Sequence, residues 1–167
     1  MVDIGLLQSV SYIAGALGVC VAAGYYITNI KAQNRNREAQ LFMSITNQSF
    51  NNPNWNKAYM TVTRAKWSSA KEFIELNGYP NETEFNNALS LLVGFFEGLG
   101  VFVREGLVDI RLVALLMTGY TKEFFEKFAP YLEEVRVSYG MPRMMSETEY
   151  LYHRLMKYLE EHPEIKT

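Results

Sequence analysis

Residues 10–30 run without a single charged side chain, bounded by Asp3 upstream and Lys31 downstream. A helix of that length, rising 1.5 Å per residue, matches the roughly 30 Å hydrocarbon core of a bilayer. Inside lipid a lone segment can satisfy all its backbone polar groups only as a helix, so the run predicts one transmembrane helix. Tyr12 near one end and Tyr25 and Tyr26 near the other suit the aromatic belts that form at headgroup level. A secretory signal needs a basic leading segment, and Asp3 is the only charge before the run, so cleavage is not expected. Cys20, the one cysteine, lies inside the run and lacks the small preceding residue of a lipidation site. A single cysteine also excludes an intrachain disulfide or a thiolate zinc site.

Lys31, Arg35 and Arg37 follow the run at once. By the positive-inside rule this flank stays in the cytoplasm, which places the N-terminus outside and the remainder of the chain in the cytosol. The same three side chains are expected to reach anionic headgroups. In that orientation the sequons at Asn47 and Asn81 are accidental, because glycosylation needs the opposite side. The net charge of −2 conceals an asymmetry: between residues 31 and 71 Glu38 is the only acid, whereas nine basic residues face sixteen acids from residue 72 onward. A basic part beside the anchor and an acidic part beyond it fit a lipid surface and not a nucleic acid. Small residues recur every fourth position, with Ala14, Gly18 and Ala22 on one face. Such spacing lets helix backbones approach closely, so self-association or docking on other membrane subunits is expected.

The remaining chain reads as all-α. With 49% apolar and 20% charged residues it has the makings of one core. The expected organisation is a short external N-terminus (1–9), the membrane helix (10–30), a helical extension with an Asn-rich linker (31–56), a cytosolic helical domain (57–162) and a tail (163–167). The domain should be a compact bundle of about five helices. The linker rests on five asparagines and Pro53 between residues 47 and 56. A helix over 55–76 ends at Asn77-Gly78. Phe85, Leu89, Leu92, Phe96, Leu99 and Val103 have the spacing of a core-facing helix. The apolar stretch 88–103 is short for a second span and contains Glu97, so burial in the domain is expected. Asp109 suits the cap of a short helix ending near Gly119. Pro130 should kink or split a helix over 121–139, and Ser146 with Glu149 spells a capping box for the last one.

The block 92–109, with Phe96-Glu97, Leu99-Gly100 and Gly106 through Asp109, followed by Pro130-Tyr131 and Arg136, resembles a family of bacterial and archaeal proteins catalogued only as a domain of unknown function. The resemblance covers about residues 86–159 and implies an N-terminal membrane helix ahead of a helical cytosolic domain. It implies no reaction, cofactor or catalytic residue.

The residues themselves supply no catalytic, cofactor or metal constellation. His153 stands one turn after Glu149, but a metal needs three or four ligands. Gly94, Gly98 and Gly100 surround Glu97 without a preceding strand, so they suit close helix packing better than a phosphate loop. Met141, Met144 and Met145 form a candidate docking strip, or a loop folded back on the domain. Glu97, a lone charge in an apolar helix, requires a partner. Arg136 is the expected one, in a buried structural ion pair, with Arg64 and Arg111 as alternatives. The expected function is that of a non-enzymatic, membrane-tethered accessory or scaffold subunit. The alternative is a membrane-anchored ligand-binding or enzymatic domain with a pocket near Glu97.

Overall fold

The computed structural model describes residues 4–78 and 82–165, with side chains from residue 17 onward except residue 48. The chain divides into two units, residues 1–40 and 41–167. Every regular element among the described residues is helical.

The first unit is helical throughout its described residues, within α1 (Ile4–Phe50). Every side chain from residue 17 to 37 is exposed, including Leu17, Val19, Val21, Tyr25, Tyr26 and Ile27. Thr28 turns its hydroxyl inward, donating 2.8 Å to the Tyr25 carbonyl and 3.1 Å to that of Gly24. No external partner is needed for that group.

The second unit begins with the last turns of α1, where Phe42 is buried. Only Asn51 and Asn52 then interrupt the helix before α2 (Pro53–Arg64). The Asn-rich linker is thus a two-residue joint. Asn52 caps α2 by accepting from the Asn54 N–H (2.9 Å), and Pro53 occupies the first position, where no N–H is required. The expected helix over 55–76 is two helices, because the chain extends at Ala65 and restarts under a Ser69 cap as α3 (Ala70–Asn77). Lys127 closes the end of α2 from outside: its ammonium donates to the carbonyls of Thr63 (3.0 Å) and Ala65 (2.7 Å), 4.3 Å over the Trp67 ring. Those are carbonyls that a helix end leaves unpaired. Gly78 stops α3 at φ +66°, a conformation that suits glycine.

α4 (Glu84–Arg104) is the central element and packs on both α2 and α8. Thr83 caps it by accepting from the Asn86 N–H. It is long and apolar enough to cross a membrane, but Phe85, Leu89, Leu92, Phe96, Leu99 and Val103 are buried in the domain core. α5 (Ile110–Leu116) starts under Asp109 as expected. Gly119 does not end a helix. It lies inside α6 (Thr118–Phe128), which follows a single hinge residue, Met117. Pro130 splits the next segment into a 3-10 turn (Ala129–Tyr131) and α7 (Leu132–Tyr139). α8 (Ser146–Glu161) buries Leu151, Leu155 and Leu159. Phe96 and Phe124 stack at 4.5 Å, and Trp67, Phe73, Phe85 and Phe128 form a second ring cluster.

Candidate functional site

The densest polar chemistry gathers on the first turn of α8. The expected capping box does not form: α8 starts at Ser146 itself, so its cap position falls on Met145, which offers no side-chain hydrogen bond. Glu97 supplies the missing acceptor from α4. Its Oε1 takes the Thr148 N–H (2.7 Å) and the Thr148 hydroxyl (2.9 Å). A carboxylate there answers both the orphan N–H and the positive end of the helix dipole. Glu97 is half-buried, and Arg136 is not its partner. The Arg136 guanidinium, nearly buried, donates from Nε to the Met144 carbonyl (2.9 Å), from Nη1 to Glu133 (2.5 Å) and from Nη2 to Glu149 (2.8 Å). Burial works against its charge, but the bonds to Glu149 and Glu133 prevail and hold its pKa above the ordinary value. The two residues expected to bind each other therefore hold the same helix end, one from α4 and one from α7.

Two further residues complete the grip. Arg104 donates 2.6 Å to Glu147 while stacking 3.9 Å over the Tyr150 ring. At Gly100 a Cβ would collide with the Glu147 backbone carbonyl, so only glycine lets α8 come this close to α4. Met145, just ahead of the helix, adopts φ +57°. That costs a non-glycine residue on the order of 1–2 kcal/mol, offset here by a fully buried side chain.

A second polar contact reaches into the aromatic core. Tyr59, stacked on Trp55 and edge-on to Tyr120, donates its hydroxyl to Glu123 at 2.6 Å. Burial, reinforced by the hydrogen bond to Glu123, pushes the Tyr59 phenol well above its usual pKa.

The sequence pattern of a Domain of unknown function (DUF4760) matches residues 12–155. The chain belongs to this family. No curated protein and no solved structure matches the chain. The DUF4760 match takes in the uncharged run from residue 12 onward and the whole α8 grip, a wider span than the resemblance over residues 86–159. Of the other expected positions, Lys31, Arg35 and Arg37 are exposed on α1, as are Gly18 and Ala22, while the Ala14 side chain lies outside those described. Glu149 is turned to Arg136, and the His153 ring packs beside Phe125 and Tyr152. Met145 is core and Met144 half-buried, so the candidate docking strip is largely a loop folded back, with Met141 alone exposed. Sequence reasoning missed Thr148 and Arg104; of the three glycines expected at a close helix packing, Gly100 meets α8, whereas Gly94 and Gly98 face open space. Gly100 carried a signal, as a glycine on the apolar face of a helix.

Proposed function

We propose that this protein is a non-enzymatic accessory or scaffold subunit, tethered to a membrane by a single helix over residues 10–30 and acting through protein contacts of that helix and of the helical domain. The observation that carries the reading is the first unit. Apolar side chains stand exposed all round α1 from Leu17 to Ile30, without a charge among them. In water each large one forgoes about 1.5–3 kcal/mol of burial, whereas lipid covers them all. The inward-turned Thr28 hydroxyl is what such surroundings demand. Lys31, Arg35 and Arg37 then meet anionic headgroups on the cytoplasmic side, and Gly18 with Ala22 offers a surface for a second copy or another membrane subunit. The domain's polar groups support a structural part: Glu97 caps α8, and Arg136 ties Glu149 of that helix to α7.

Topology tests it directly. A cysteine added after Thr167 should react with an impermeant maleimide only after permeabilisation, and one at Val2 should react on intact cells, in both cases in a Cys20→Ala background. The opposite pattern, or release of the protein by alkaline carbonate, overturns the tether as proposed. Crosslinking in native membranes tests the subunit role, and a chain that is strictly monomeric and partner-free refutes it.

A further inference from the structure

Between the end of α3, the first half of α4 and the end of α7 lies a cavity of about 120 Å3, lined by Asn77, Asn86, Leu89, Val93, Tyr139 and Met144. One end is polar. The Asn86 amide donates to the Asn77 oxygen (3.0 Å), and the Asn77 amide donates to the Tyr139 hydroxyl (2.8 Å). Asn77 is buried, which such a chain of bonds explains. The Asn86 carboxamide oxygen and the hydroxyl of Ser90, which also lines the space, bond to no protein group among the described residues. Leu89 and Val93 form an apolar wall, and Met144 and Met141 bring two thioethers.

We infer that this cavity binds a small uncharged aromatic alcohol, of which a phenol is the simplest. Size sets the first limit: an apolar cavity of about 150 Å3 accepts benzene, and this space is smaller but open on one side, so it takes no more than a single ring. The pair of thioethers favours an aromatic body, because sulfur makes favourable contacts at ring edges. The polar end assigns the head group, with a ligand hydroxyl donating to the Asn86 oxygen and accepting from Ser90. Charge is refused, since no described lining residue offers a counter-ion and a carboxylate held against Leu89 and Val93 would be left unpaired. The site is independent of the membrane reading and does not use Glu97, whose Oε1 is taken by Thr148.

The test uses the full chain in lipid nanodiscs with 13C-methyl methionine, titrated with p-cresol, toluene and 4-methylbenzoate. With p-cresol the Met141 and Met144 methyls should shift saturably with a Kd on the order of 1 mM. The exposed Met43 and Met60 methyls should report only partition into lipid. Toluene should bind about 3-fold to 10-fold more weakly for want of the hydroxyl, and 4-methylbenzoate weaker still. Val93→Phe, at a half-buried position, should fill the space and abolish the saturable shifts. Asn86→Ala should bring p-cresol down to toluene. Non-saturating shifts, equal changes at Met43 and Met60, or binding that survives in folded Val93→Phe would overturn the inference. So would 4-methylbenzoate binding as tightly as p-cresol.

Discussion

Replacing Glu97 by alanine removes the acceptor that holds the α8 N-terminus, and the geometry sets the size of the effect. Thr148 is fully buried, so its N–H and hydroxyl would both lose their protein acceptor. An orphaned buried donor costs about 1–3 kcal/mol, and losing a carboxylate at a partly buried helix N-terminus adds about 0.3–1 kcal/mol. Glu97→Ala should therefore destabilise the helical domain by about 2–4 kcal/mol. Glu97→Gln retains one acceptor oxygen and loses only the charge, so it should cost about 1 kcal/mol. Urea unfolding in mild detergent, followed by aromatic ellipticity, gives both values from midpoints at constant slope. A double-mutant cycle then assigns the partner. Glu97→Ala with Thr148→Val should show a coupling of about 1–2 kcal/mol, while Glu97→Ala with Arg136→Met should be additive within about 0.5 kcal/mol. Strong coupling to Arg136 with none to Thr148 would refute the capping role and restore a direct ion pair.

Gly100→Ala places a methyl against the Glu147 carbonyl and should cost about 3 kcal/mol, by forcing α8 off α4. An alanine variant as stable as the parent, by the same unfolding measurement, would show that the helices have room to spare. The Tyr59 phenol predicts a pH effect of definite sign. Its pKa is raised in the folded domain above the ordinary 10.0, so its contribution is intact below pH ~10 and declines above it, where only the unfolded chain loses the proton. The decline should reach about 1.4 kcal/mol per pH unit for this one group. Tyr152, raised by burial and by its bond to Glu126, adds to it. Tyr59→Phe should be about 1 kcal/mol less stable at pH 8 and flatter between pH 10 and 11. Parallel curves for the two proteins would show that the Tyr59 proton is not held.

Helix identity was legible wherever a strong local rule acted alone. The period of Phe85 through Val103, the Asp109 cap and the break at Pro130 each name their own consequence, and each appears. Failures came where two local rules competed. Asparagines between 47 and 56 read as loop formers, yet Asn52 beside Pro53 is a cap followed by its preferred first residue, and the cap prevailed. Ser68 and Ser69 could have signalled the restart at α3, because Ser69 caps it and Glu72 reaches back to the Ser68 N–H and hydroxyl. Neither is a breaker of the Gly or Pro kind. At α8 the box Ser146 to Glu149 spells a cap, but Met145 enters with positive φ and puts Ser146 inside the first turn. Nothing local announces a methionine in that conformation.

The misassigned partner of Glu97 follows from the same gap. A lone carboxylate in an apolar helix does require compensation, and the sequence offers cations as named residues while concealing the other source, the open end of a helix. Such an end carries about half a positive charge and unpaired N–H groups already fixed in space, so binding it orders no long side chain, whereas an arginine must give up rotamer freedom. Which source prevails depends on distance in the fold. Gly100 decides it here, one turn after Glu97 on α4, by drawing the α8 backbone into van der Waals contact. Arg136, deprived of Glu97, takes the carboxylates of Glu133 and Glu149 and the Met144 carbonyl. The test that separates the two sources is therefore Gly100→Ala combined with Glu97→Ala: if close approach creates the Glu97 contact, the second change should cost about 1–2 kcal/mol less once the first is made. Full additivity would mean that the carboxylate finds the helix end without the glycine.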